Sequence, residues 1–190
     1  MAFQIIFILI ALFLFIWNIS LIISAFSGAP TVYAKGQSIQ KAFELAQPKA
    51  GQVVLDVGCG NARSLIFAAK NYKTRGFGVE ISPFYFLLAR LNVLIKGESR
   101  NIKIYFGGAT RQEKLIKKAD IIYLYLFDAL LSKLSPEIFA LAKKNCKIIS
   151  IAFPLKGRKP FITDENPKVY LYMATGPDLG EGRDPSTRSG

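Results

Sequence analysis

From Ile5 to Phe26 the chain is almost continuously apolar, interrupted only by Asn18, Ser20 and Ser24. The pattern predicts one helix that is apolar all round, and its roughly 22 residues reach about 33 Å, against a hydrocarbon core of about 30 Å. A small domain has no core large enough to hide such a helix. Gly28-Ala29-Pro30 breaks the run and starts a linker. Ile39, Ala42, Phe43 and Ala46 then share one helical face, with Ser38 as its expected N-cap. From residue 52 onward short apolar runs alternate with helical stretches. Strands are expected over Gln52–Val57, Gly76–Glu80, Ile102–Phe106, Ile121–Phe127 and Lys147–Ala152, and a last one over Val169–Met173 after a Pro-rich polar connection. Helices are expected over Ala62–Asn71, Pro83–Lys96, Arg111–Lys118 and Pro136–Lys144. Ser82-Pro83 and Ser135-Pro136 each set a capping hydroxyl before a proline suited to the first helical position.

Continuous apolar strands separated by helices predict an α/β domain, a doubly wound and mostly parallel sheet covered on both faces. The expected organisation is an anchor over residues 1–27, a linker over 28–37, the folded domain over 38–174 and a disordered tail over 175–190. The tail is Gly, Pro, Ser and charge without periodicity.

Charge sharpens this division. Residues 1–34 hold no Asp, Glu, Lys or Arg, so all 25 basic and 13 acidic side chains, and the net charge of +12, lie beyond them. Lys35 and Lys41 follow the apolar run and nothing basic precedes it, which predicts a single-pass span with the domain on the cytoplasmic side. A cleaved signal peptide is the rival: Ala25-Phe26-Ser27 offers small residues, but there is no basic n-region and the run is long. The basic residues are scattered, without the aromatic interleaving of an RNA module, so adhesion to an anionic bilayer is preferred over nucleic acid as their partner. The chain has no His, which excludes Ser-His-Asp triads, Cys-His dyads and His-ligated metals, and no metal is expected. Cys59 and Cys146 are not spaced as a framework, and reduced thiols are expected.

The informative stretch is Val53-Val54-Leu55-Asp56-Val57-Gly58-Cys59-Gly60-Asn61-Ala62-Arg63, a buried strand running into a glycine turn that opens a helix. Glycines there let backbone approach a ligand at the carboxyl edge of the sheet. Glu80 ends the next strand 24 residues after Asp56, where a carboxylate can accept both hydroxyls of a ribose. Arg63 stands where a dinucleotide fingerprint has its third glycine, which argues against nicotinamide and flavin dinucleotides.

An acid ending the first strand, two glycines, and an acid ending the second resemble the seven-strand, Rossmann-like S-adenosylmethionine-dependent methyltransferases. The resemblance covers residues 30–174 and implies S-adenosyl-L-methionine as cofactor. By it Gly58 and Gly60 line the methionine part, with Cys59 and Asn61 in the same loop. Asp56 orients that loop and Glu80 holds the ribose, and Ile81 and Gly107 complete the cofactor set. An apolar span, the segment Pro30-Thr31-Val32, an amphipathic helix and a short core further resemble the membrane-anchored protein-lysine methyltransferases. Tyr123-Leu124-Tyr125-Leu126-Phe127 with Leu130, Leu131 and Leu134 is similar to that family's fourth strand and helix. This implies a membrane-protein lysine as acceptor, and it assigns Tyr125 and Asp128 to the catalytic edge. The sequence departs from the family at Ala62, Gly107-Gly108, Asp128 and Tyr33. A lipid or small amphiphile as acceptor, or a cofactor-binding scaffold without activity, stays open beside the lysine reading.

Overall fold

The computed structural model describes residues 1–26, 36–108 and 111–175. The bulk of the expected linker and the tail from residue 176 fall outside these. The apolar run forms one helix, α1 (Ala2–Phe26), and the amphipathic segment forms α2 (Gly36–Ala46). Ile39, Ala42, Phe43 and Ala46 are the buried face of α2, as their spacing requires. Ser38 is buried within this helix rather than capping it. The alternating part follows as β1 (Val53–Val57), α3 (Arg63–Tyr72), β2 (Arg75–Glu80), α4 (Pro83–Ile95), β3 (Ile102–Phe106), α5 (Glu113–Lys118), β4 (Ile121–Leu124), α6 (Asp128–Leu141) and β5 (Lys147–Ile151). A hairpin of β6 (Ile162–Glu165) and β7 (Lys168–Met173) closes the chain.

The seven strands form one sheet in the order β3-β2-β1-β4-β5-β7-β6. The first five are parallel, while β7 runs antiparallel to both β5 and β6. Strand residues alternate between two cores. Val54, Tyr123 and Ile149 join Phe43 of α2, Leu65 of α3 and Ala89 and Val93 of α4 on one face. Leu55, Ile122 and Ile148 join Leu115 and Ile116 of α5 and Leu131 and Ile138 of α6 on the other.

The largest differences from expectation lie around β4, α6 and the last connection. The fourth strand stops at Leu124, not Phe127, and α6 begins at Asp128, not at Pro136. Pro136 lies inside α6, where its missing N–H and ring are accommodated mid-helix; the Ser-Pro signal works as a start only in α4, where Ser82 Oγ accepts from Tyr85 N. The polar connection before the last strand contains β6, whose alternating half-exposed residues mark an edge strand.

Chain direction locates the site. From β1 the chain winds outward through β2 and β3, then returns to lay β4 on the other side of β1. Helices leaving in opposite directions open a crevice at the carboxyl ends of β1 and β4, the switch point where such sheets bind ligands.

Candidate active site

At that crevice the chain leaves β1 through three left-handed residues, Gly58 (φ 76°), Gly60 (φ 53°) and Ala62 (φ 63°), before α3 starts at Arg63. The amides of Gly58 and Cys59 both donate to Val79 O, at 2.9 and 3.1 Å, so the turn is latched to β2. A side chain on Gly58 would come within 2.9 Å of Leu126 Cδ2, which follows β4. Ala62 thus takes the backbone shape that a glycine would take there, at a cost of about 1–2 kcal/mol.

Glu80 ends β2 as a buried carboxylate. Its Oε2 accepts from Gly60 N at 2.8 Å and its Oε1 from Ser82 N at 2.9 Å. Burial raises its pKa, while the amides of Ser82, Gly60 and Ile81 pull it down. Each carboxylate oxygen has two acceptor positions, so both retain capacity after these bonds. Gly107 (φ 132°) continues the edge past β3, its amide donating to Glu80 O at 2.9 Å. Beyond the chain neighbours, no atom of the described residues lies within 4 Å of where a side chain would stand on Gly60 or Gly108.

Asp56 is buried beneath the loop and accepts from Ser64 Oγ in the first turn of α3. Burial pushes it up to about 7; the Ser64 hydrogen bond opposes this and the charge of Glu80 adds to it. Cys59 contributes backbone to the loop, whereas its thiol packs over Gly78 in the core and burial raises its pKa. Asn61 is fixed through its carbonyl, which accepts from Asn92 Nδ2 of α4 at 3.1 Å.

Beyond β4, Tyr125 is half-buried and packs against the α2–α3 core. Tyr123 is fully in that core, stacked on Phe43 at 5.7 Å. Asp128 opens α6, where a carboxylate complements the helix dipole, and its Oδ2 holds Lys156 Nζ at 2.7 Å. The structure therefore gathers Asp56, Gly58, Cys59, Gly60, Asn61, Glu80, Ile81 and Gly107 at the ends of β1 to β3. Tyr125 and Asp128 sit after β4, joined to this group through Leu126. Ser64, Asn92 and Lys156 belong to the site's surroundings but have no sequence signal, since each meets its partner only through tertiary folding.

The arrangement fits a nucleoside with a polar chain. A buried carboxylate with spare acceptor capacity faces a glycine turn, and no side chain among the described residues stands over Gly60 or Gly108. Among the described residues no cluster of three or more His, Cys, Asp or Glu is set to hold a metal ion.

Comparison with known proteins agrees with this geometry. The family model for the ANTKMT methyltransferase domain matches residues 56–162. A protein-lysine N-methyltransferase of Saccharolobus islandicus (strain REY15A) is 26% identical over 151 residues, covering 76% of this chain and 92% of the relative. The crystal structure of an RNA methyltransferase from Salinibacter ruber, in complex with S-adenosyl-L-homocysteine, superposes with a TM-score of 0.73. It is 27% identical and covers 80% of this chain and 99% of that one. A precorrin-6y C5,15-methyltransferase from Geobacter metallireducens shares the fold at a TM-score of 0.58 and 20% identity, over 67% of this chain and 68% of that one.

Proposed function

The chain belongs to the ANTKMT methyltransferase domain family and is an S-adenosylmethionine-dependent methyltransferase, and from that premise we propose that it is a membrane-anchored protein-lysine N-methyltransferase. The observation that carries the lysine reading is the 26% identity to a protein-lysine N-methyltransferase along nearly all of that relative. The anchor reading rests on α1, whose window Ala2–Ile19 is long and apolar enough to cross a membrane and is not buried by the rest of the chain. The positive charge that follows it favours a cytoplasmic domain.

When bound, S-adenosylmethionine supplies an electrophilic methyl group on a sulfonium. Glu80 would accept the ribose hydroxyls while its other lone pairs keep the Gly60 and Ser82 amides, so the ribose site and the glycine loop would be held as one unit. Gly58 and Gly60 would bring backbone to the methionine part, with Cys59, Asn61 and Asp56 fixing the loop beneath. Ile81 and Gly107 would complete the cofactor-binding edge.

Displacement at a sulfonium needs alignment and exclusion of water rather than a general acid, so the absence of His is no obstacle. The acceptor amine must be neutral when it attacks, its proton having passed to solvent, although a free lysine has a pKa of about 10.4. Tyr125 supplies an apolar wall that disfavours the ammonium. Asp128 receives the incoming ammonium. It already binds one alkylammonium, that of Lys156, so the carboxylate is suited to such a guest.

The test is transfer of label from methyl-labelled S-adenosylmethionine on host membranes. Label in protein, recovered as methyl-lysine, supports the reading. Label in extracted lipid or in RNA would replace the acceptor, and cofactor binding with no transfer would make the chain a scaffold.

A further inference from the structure

We propose that the outer face of α4, with the neighbouring edge strand β3, is a second membrane-contact surface that lays the domain down on an anionic bilayer. The proposal deepens the anchor reading, because it takes its level in the bilayer from α1.

Helix α4 has apolar residues on two faces. Ala89 and Val93 point into the core. Leu87, Leu91, Leu94 and Ile95 form a separate stripe at helical spacing and are all more than half exposed, at 51%, 51%, 66% and 67%. Phe106, at the end of β3, is 52% exposed and packs edge-on against Phe86 of α4. Between α4 and β3 lies an open groove of about 610 Å³, lined by Leu87, Leu91, Leu94, Ile102 and Tyr105 among others. A stripe of this kind next to an exposed strand edge marks an interaction surface rather than a solvated one.

Two observations select lipid as its occupant. The first is continuity with α1. Trp17 meets Phe84 at the start of α4 at 5.0 Å between ring centroids, and Phe13 meets the same ring at 6.1 Å. Trp17 lies nine residues before Phe26, about 13 Å back along the helix axis. A helix of 25 residues is about 37 Å long and overhangs a 30 Å hydrocarbon core by only a few ångströms at each end. Trp17 is therefore about 10 Å inside the hydrocarbon core, and Phe84 beside it holds the start of α4 at the inner limit of the depth, about 5–10 Å, taken by an interfacial amphipathic helix.

The second is charge. Residues 83–106 carry Arg90, Lys96, Arg100 and Lys103 against the single acid Glu98. All four cations are exposed, and none forms an ion pair among the described residues. An apolar stripe fringed by cations is the complement of an anionic leaflet.

The experiment uses the full chain in vesicles of phosphatidylcholine and phosphatidylglycerol in equal parts. Single cysteines are introduced as Leu91→Cys or Ile95→Cys on the stripe, Ile10→Cys on α1 and Lys114→Cys on α5 across the sheet, and each is labelled with a polarity-sensitive fluorophore. Cys59 and Cys146 are buried, so a folded variant takes one label and a misfolded one takes more, and only singly labelled protein is read. The labels at 91 and 95 are expected to lose most of their emission to shallow nitroxide-bearing lipid and little to aqueous iodide, with the reverse at 114. Labels at 91 and 95 as open to iodide as the one at 114, with residue 10 in lipid, would overturn the docking face and leave the anchor standing. Shielding from iodide without quenching by lipid would mean a protein covers the stripe and would also overturn it. Residue 10 in water with 91 and 95 in lipid would uphold the face and remove the anchor.

Discussion

Glu80 Oε2 accepts the amide of Gly60 at 2.8 Å, across the gap between two strands, so the acid ending β2 also shapes the turn that ends β1. Losing this carboxylate removes the proposed ribose acceptor and frees two backbone amides at once. Glu80→Ala is expected to weaken S-adenosylmethionine binding by roughly tenfold or more, since each charge-assisted hydrogen bond is worth about 1.5–3 kcal/mol. Glu80→Gln is expected to lie close to it, because its NH2 group faces an N–H donor. Titration calorimetry measures both, and affinity unchanged in Glu80→Ala would remove the ribose assignment.

The two glycines of the turn are expected to fail differently. Gly58→Ala combines a left-handed φ of 76° with a contact of 2.9 Å to Leu126 Cδ2. Strain of about 1–2 kcal/mol and overpacking of about 1–3 kcal/mol act together, so stability falls. Gly60→Ala carries the same kind of strain at a φ of 53° but, beyond its chain neighbours, meets no described atom within 4 Å, so the added methyl enters the proposed ligand space. Gly60→Ala is expected to lower the urea midpoint by its backbone strain alone and to lose most cofactor affinity, and Gly58→Ala to lower the midpoint further.

Much of this architecture could be read along the chain. Strands buried on both faces are continuous apolar runs, so β1, β2, β3 and β5 are legible to within a residue. The failures are places where a local signal has two readings. Ser135-Pro136 has the same letters as Ser82-Pro83, yet only tertiary packing decides that one lies inside a helix and the other starts one. β6 is half exposed and carries Thr163, Asp164 and Glu165, so it lacks the apolar run of a central strand. In the site, the glycine turn and Glu80 are legible because they lie on contiguous strand ends. Ser64 on Asp56 and Lys156 on Asp128 are not, since each pairing is made by the fold.

Asp56 should make stability fall with rising pH. Its carboxyl ordinarily titrates at 3.8, but in the folded chain it holds its proton to about 7, chiefly through burial. Between those values the folded state binds more protons than the unfolded state, so its contribution is complete below about pH 4 and is lost by about pH 7. The raised pKa of Glu80 acts in the same direction. Asp56→Asn removes only the first share, so its stability relative to the parent is expected to rise over this window and level off above it. Urea midpoints at a series of pH values check this, and a difference independent of pH would contradict the burial of an ionisable Asp56.

The Asp128–Lys156 pair is largely exposed, so its removal should barely affect folding. Lys156→Met is expected to change stability by less than about 0.5 kcal/mol and to leave cofactor affinity intact. With the competing ammonium gone, the acceptor KM should fall, whereas Asp128→Asn should raise it. Steady-state kinetics with a fixed acceptor separates the two, and KM unmoved in both would take Asp128 out of the acceptor site.

The tether makes the last prediction. An acceptor lysine on a membrane protein stays within a thin layer at the bilayer face, while a freely diffusing enzyme samples the whole aqueous volume. Confining the enzyme to that layer raises its effective concentration, as a short linker does for two joined modules. From Phe26 to Gly36, the start of α2, there are only ten residue steps, at most roughly 36 Å when fully extended. With α1 in the bilayer, as proposed, the carboxyl edge of the sheet reaches only lysines close to the membrane. Removing residues 1–27 uncovers Phe84 but touches none of the residues around Gly60 and Glu80. Cofactor affinity is therefore expected to survive the deletion, while methylation of a membrane-embedded acceptor slows sharply and that of a soluble peptide acceptor does not. Label incorporation by full-length and truncated protein, at equal concentration on the same membranes, measures the ratio. Equal rates would mean that the span does not select the acceptor, and the lysine reading would then rest on the likeness to its relative alone.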